Sequence, residues 1–292
     1  MEGIVIKKKT IVIYLVFAFL LAWVMWGFLA LLGIDMLSPL GTVIMIASMW
    51  MPAAAVLVTK KVNGGARIMG PSFKPKFKGN KRWYLFAWLT PIIVGVLGGA
   101  LYFCIFPDHF DPVTGLQRPS LFSEIILTVT IAVLLAVPRT LGEEIGWRGF
   151  LFPAVRSRTT EVKSNIICGI IWGLWHAPVI TMGLNYGTGY PGFPWIGILA
   201  MCLSCTFLGI FLSYSTGKSG SIWPAALGHG ANNAATGLWA LFLGEGYTEG
   251  VFFKLSIGVI VPIPYIVLGV VLLIISTRKI VSTFVPPYRL KQ

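Results

Sequence analysis

The chain is short of charge. Asp, Glu, Lys and Arg make up 11% of its 292 residues, against about 25% in an ordinary soluble domain. So few charges cannot clothe a globule in solvated surface, which excludes a soluble enzyme, a disordered chain and a collagen-like fibre. Acidic residues are the scarcer sign, 10 against 23 basic ones, and there are three histidines. The four cysteines, Cys104, Cys168, Cys202 and Cys205, all fall in apolar segments. Cys202 and Cys205 form a C-x-x-C without a second pair, so they read as small buried apolar residues, and no disulfide framework is expected. Neither Gly-x-Ser-x-Gly nor H-E-x-x-H occurs. The serine-hydrolase elbow and the zincin arrangement are therefore missing.

What is present is apolar length. The chain is 56% hydrophobic, and a helix crossing the hydrocarbon core needs about 20 apolar residues. Eight stretches qualify, roughly 11–33, 41–59, 83–106, 121–155, 165–184, 196–214, 222–243 and 255–276. The fold class expected is all-α: a polytopic bundle of about eight transmembrane helices, one unit over 1–292, multi-pass in the cell membrane. The first stretch is too long for a signal-peptide core and is read as a retained span.

The net charge of +13 points to basic loops on anionic lipid rather than to nucleic acid. If both termini are cytoplasmic, most basic residues fall on the inner side. These are Lys7 to Lys9, the stretch Lys60 to Arg82 including Arg67, then Arg156, Arg158, Lys163, Lys218, Arg278, Lys279, Arg289 and Lys291. Asp35, Asp108, Asp111, Glu245 and Glu249 fall outside, with only Arg118 and Lys254 beside them. His109, next to Asp108, reads as surface decoration.

The fourth stretch carries Arg139, Glu143, Glu144 and Arg148 inside the membrane, where each charge costs at least about 2.5–3.5 kcal/mol on insertion scales. Arg139–Glu143 and Glu144–Arg148 are i, i+4 pairs that leave the cluster near neutral. A structural ion-pair network is one explanation. His176, in Trp172-Gly-Leu-Trp-His176, and His229, in His229-Gly-Ala-Asn-Asn233, are the other intramembrane titratable groups. Trp172 and Asn233 each stand one helical turn from their histidine. At 1.5 Å per residue, His176 lies about 16 Å from Asn165, His229 about 10 Å from Ile222 and Glu143 about 20 Å from Arg156. Three helices thus deliver a carboxylate and two imidazoles to one layer, which makes a credible site.

Such a set can hydrolyse an amide in two ways. A glutamate can act as general base on water while His and Asn233 stabilise the oxyanion. Alternatively, Glu143, His176 and His229 can ligate Zn²⁺, which then activates the water. Two readings outside catalysis also stand. One is a small-solute transporter, since midplane polar residues mark ion pathways, although no inverted repeat is visible. The other is a non-catalytic membrane protein of binding or bacteriocin immunity.

Three motifs in order carry a resemblance: Glu143-Glu144-Ile-Gly-Trp-Arg148 as E-E-x-x-x-R, Trp172 to His176 as the aromatic-x-x-x-H motif, and His229 to Asn233 as H-x-x-x-N. The chain resembles the CPBP (Abi) family, the CAAX-protease and bacteriocin-processing proteins, which includes the Ras-converting CAAX prenyl endopeptidases. The resemblance covers roughly 120–240, the motif-bearing core. It implies an intramembrane protease open toward the cytoplasmic leaflet, acting on a prenylated or other membrane-associated peptide or protein and removing a C-terminal tripeptide after a prenylated cysteine. It implies that Glu143 activates water, that Glu144 paired with Arg148 supports it, and that His176 positions the water or stabilises the transition state. His229 and Asn233 form the oxyanion site. Trp172 shapes the substrate pocket where phenylalanine is usual. The family is commonly labelled metalloprotease, and zinc stays open.

Overall fold

In a computed structural model, residues 6–63, 70–247 and 254–280 are described, the last three without their side chains. Arg67, Glu249, Arg289 and Lys291 lie outside the described residues, as do the side chains of Arg278 and Lys279. The described residues are helical throughout, with two isolated bridges, Ser72 with Ser221 and Phe110 with Leu243.

Helix α1 (Lys8–Leu31) is apolar on every side, as a lipid-embedded helix is. Ser38 caps α2 (Pro39–Ser48), its hydroxyl accepting from the Gly41 amide at 3.1 Å. A 41° bend leads into α3 (Met51–Val62), whose last turn carries Lys60 and Lys61. Helix α4 spans Lys81–Ile105. Helix α5 runs over Leu121–Arg156, 36 residues, and holds two π-helical turns at Thr128–Ala132 and Trp147–Leu151. Then come α6 (Glu161–Trp175), α7 (Trp195–Ser219), α8 (Trp223–Ala235) and α9 (Leu255–Thr277).

The polytopic helical bundle is as expected, and the protein is a multi-pass membrane protein. The spans differ in length from the reading of eight. Among the described residues, five helices are long and apolar enough to cross a membrane, six with the bent pair α2–α3. Helices α6 and α8 have 15 and 13 residues, or about 22 and 20 Å, short of the roughly 30 Å hydrocarbon core. Pro178 follows the end of α6, and Gly237 follows α8. Helix α6 breaks at His176 and resumes as a short helix over Ala177–Thr181, and α8 gives way to a 3-10 turn at Leu238–Phe242.

Close helix contact fixes where those ends lie. A Cβ on Gly173 would stand 2.4 Å from the Cys202 Cα, and one on Gly169 2.3 Å from the Thr206 Cα. Helices α6 and α7 therefore touch backbone to backbone. Without a hydrophobic drive between helices in lipid, such small-residue contact is what holds them together.

The charges separate to the two ends. At one end, Arg158 Nη1 donates to the Ile6 carbonyl and Thr10 Oγ1 to the Asn63 side chain. Nearby, Ser221 Oγ donates to the Lys74 carbonyl. These bonds gather Lys7 to Lys9, Lys60 and Lys61, Lys74 to Arg82, Arg156 to Lys163 and Lys218 on a single basic face. The opposite end holds Asp35, Asp108, Asp111 and Glu245. His109 there is not mere decoration. Its Nδ1 lies 2.8 Å from the Tyr102 hydroxyl, and its ring stacks 3.9 Å from that of Tyr247. It fastens the end of α4 to the segment after α8, helped by the Asp111 amide donating to the Phe242 carbonyl at 2.9 Å.

Candidate active site

Glu143 and Glu144 are consecutive on α5, so their side chains diverge by about 100° around the helix. Both are buried, with 2% and 0% of their surface exposed. Each has its own partners, and the two sets do not overlap.

Glu143 Oε2 accepts two indole N–H groups: Trp172 Nε1 from α6 at 2.8 Å, and Trp147 Nε1, one turn along α5, at 3.2 Å. The expected Arg139–Glu143 pair is absent among the described ion pairs. Two indoles occupy the carboxylate where the guanidinium was expected. Sequence reading missed Trp147, although its i, i+4 spacing from Glu143 is the same signal that marked the charged pairs.

Glu144 Oε1 takes a guanidinium and an imidazole. Arg148 Nη1 donates to it at 3.0 Å, and His229 Nδ1 stands 2.9 Å from it. The expected Glu144–Arg148 pair is thus formed and is shared with a histidine from α8. The Arg148 guanidinium also lies over the Trp172 ring, 4.3 Å from its centroid. Gly209 on α7 makes room for it, since a Cβ there would meet Arg148 Nη2 at 3.0 Å. Arg148 itself sits in the second π-helical turn, which widens the helix where the guanidinium folds back.

His176 is the first residue past α6. Its Nδ1 is 2.9 Å from the Trp172 carbonyl. A carbonyl only accepts, so Nδ1 carries a proton, and in the neutral ring Nε2 keeps a lone pair. The closest ring to His176 is Trp175, edge-on at 4.9 Å, with Trp172 at 6.2 Å. Trp172 is also edge-on to His229 at 5.2 Å. It therefore touches Glu143, Arg148, His176 and His229 together, more than a pocket wall would.

A cavity of about 850 Å³ reaches this cluster. Glu143, Trp172, His176, His229, Asn232 and Asn233 line it, while Glu144 and Arg148 do not. Asn233 is exposed into it, two residues before the end of α8. The sequence-derived residues thus divide into a set that lines the cavity and a set behind it. Among the described residues, no group of three His, Cys, Asp or Glu side chains is placed to hold a metal ion. The proposed zinc set of Glu143, His176 and His229 does not fit. One glutamate oxygen is held by two indoles, and the three side chains are not placed as a metal-binding group.

Residues 121–235 match the family model of the Type II CAAX prenyl endopeptidases, Rce1-like. A curated relative, CAAX prenyl protease 2 of Methanococcus maripaludis, is 41% identical over 58 residues. That stretch covers 20% of this chain and 21% of the relative, so the match spans about a fifth of either protein. The family match runs from the start of α5 to the end of α8, the segment that contains every cavity-lining polar residue named above.

Proposed function

We propose that the protein is an intramembrane endopeptidase in which Glu143 activates water. The observation that carries this reading is the anchoring of Glu143 Oε2 by two indoles at the floor of a cavity shared with His176, His229 and Asn233. The anchoring leaves Oε1 as the oxygen available for proton transfer. His176 Nε2, with its lone pair, accepts a second hydrogen bond from the same water. The water is held by two acceptors, and its own lone pair is aimed at the substrate carbonyl.

Attack forms the C–O bond as the water proton passes to Glu143. The tetrahedral oxyanion needs donors. Asn233 offers its amide N–H₂, and His229 offers Nε2–H when both of its nitrogens are protonated. Glu144 balances that positive charge, as the buried carboxylate behind a catalytic histidine does elsewhere. Collapse breaks the C–N bond, and Glu143 returns its proton to the leaving amine. Glu144 and Arg148 are positioning residues, because they face away from the cavity.

The name of the relative makes a prenylated C-terminal peptide the first substrate class to test, with release of a tripeptide after the modified cysteine. A farnesylated, quenched-fluorescent CAAX peptide should be cleaved by the purified protein in detergent. The Glu143→Gln variant should lose about 10²–10⁴-fold in rate, the usual worth of a general base, with its melting curve unchanged. Equal rates for the two proteins would refute the assignment.

A further inference from the structure

We propose that Arg139 binds the C-terminal carboxylate of the substrate and so sets which peptide bond reaches Glu143. The proposal rests on the peptidase reading above. Arg139 lies within the membrane-spanning helix α5, over Leu121–Arg156, where an ionised side chain is costly and marks a partner or a substrate path. It is half-buried. Among the described residues its guanidinium makes neither a hydrogen bond nor an ion pair. The other two arginines of α5 are engaged, Arg148 with Glu144 and Arg156 with the Thr159 carbonyl. Arg139 is the cation of this helix that the fold does not use.

The substrate supplies the missing charge. A peptide ending in a free carboxylate carries an anion into a cavity lined by Glu124 and Glu143 and by no lysine or arginine. A carboxylate taken out of water needs a paired cation, and a guanidinium meets it with two parallel N–H donors. Around α5, Arg139 falls between Gly142 and Glu143, about 40° from Glu143. Gly142 marks the flank toward the bend between α2 and α3, since a Cβ there would stand 2.8 Å from the Met49 carbonyl oxygen and from the Trp50 Cα. Met49 and Glu143 both line the cavity, and Arg139 does not. With nothing anchoring its long side chain, it turns in when an anion arrives.

The reach fits a tripeptide. Arg139 stands about 6 Å before Glu143 along the axis. Helix side chains lean toward the N-terminus, and arginine is the longer of the two, so the guanidinium lies farther from the Glu143 carboxylate than that rise. Three extended residues span about 10 Å. A carboxylate held by Arg139 therefore leaves the bond three residues from the chain end beside the water on Glu143.

The test compares two farnesylated, quenched CAAX peptides, one ending in a carboxylate and one in an amide. The parent should cleave the acid about 10- to 100-fold better in kcat/KM, as one hydrogen-bonded charge pair is worth. Arg139→Gln should cleave the acid as slowly as the amide, keep the parent's rate on the amide and keep its melting curve. Arg139→Lys, a point charge without the fork, should recover part of the difference. Equal rates of the parent on both peptides would overturn the proposal. So would an equal loss on both in Arg139→Gln, or an acid preference that this variant retains. Binding of the same peptides, N-methylated at the scissile amide and followed by fluorescence anisotropy, is measured in parallel. Cleavage of neither peptide by the parent refutes the peptidase reading. The carboxylate site then stands if the acid binds more tightly than the amide in the parent alone, and falls if the two bind equally.

Discussion

The indole nitrogen of Trp172 on α6 lies 2.8 Å from Oε2 of Glu143 on α5. Phenylalanine, usual at this position in the family that the chain resembles, offers no such donor. A hydrogen bond to a charged group contributes about 1.5–3 kcal/mol. Trp172→Phe keeps an aromatic ring beside Arg148 and His229 but frees the carboxylate to turn. We expect kcat to fall about 10- to 100-fold with KM within about twofold, measured on the farnesylated peptide. Trp147→Phe, which removes the longer bond of 3.2 Å, should cost less. A matching loss in KM would make Trp172 a substrate contact instead.

Glu144 shares one buried oxygen between Arg148 and His229. Removing one member of a buried ion pair leaves a charge stranded and costs about 3–5 kcal/mol. Glu144→Ala should therefore unfold at a clearly lower temperature than the parent. In the Glu144→Gln, Arg148→Met double variant neither member of the Glu144–Arg148 pair is left charged. It should recover much of the melting temperature but not the rate, because His229 has lost its counter-charge. Recovery of full activity would reduce the pair to a purely structural role.

Much of this was legible in the chain. The charge deficit and the apolar runs indicate a helical membrane bundle, and the E-E-x-x-x-R spacing indicates the Glu144–Arg148 pair. The spacing rule itself could not choose among partners. Arg139 and Trp147 both stand four residues from Glu143, and only packing against α6 decides for the indole. Nor could hydropathy show that α6 and α8 break after Trp175 and Ala235, since their apolar runs continue past Pro178 and Gly237. The placement of the cavity is a three-dimensional fact. It depends on which helix ends meet, and sequence depth alone does not give that.

Helix contact at Gly173 supplies a test of how the layer is held. A methyl group there would collide with the Cys202 backbone, 2.4 Å from its Cα and 2.6 Å from its nitrogen. Backbone cannot swing aside, so Gly173→Ala must separate α6 from α7. Overpacking of this kind costs about 1–3 kcal/mol. We expect a lower melting temperature and, since Trp172 and His176 ride on α6, a larger fall in kcat than in stability. Gly27→Ala, where a Cβ meets nothing within 4 Å, is the control and should match the parent.

Metal removal separates the two chemistries open to Glu143, His176 and His229. A catalytic zinc site needs three protein ligands at about 2.0–2.2 Å and an open position. Here one oxygen of Glu143 is occupied by two N–H donors, whose positive ends would repel a cation at that atom. His229 Nδ1 is turned to Glu144, and His176 Nδ1 to a backbone carbonyl. Only Nε2 of each ring remains, and among the described residues no third ligand stands with them. Dialysis against EDTA and 1,10-phenanthroline should therefore leave the rate on the farnesylated peptide within about twofold of the untreated protein, whereas a metal-activated water would lose most of its rate. A loss restored by added Zn²⁺ would mean that the indoles release Glu143 on metal binding, and the water-activation scheme proposed here would have to be abandoned.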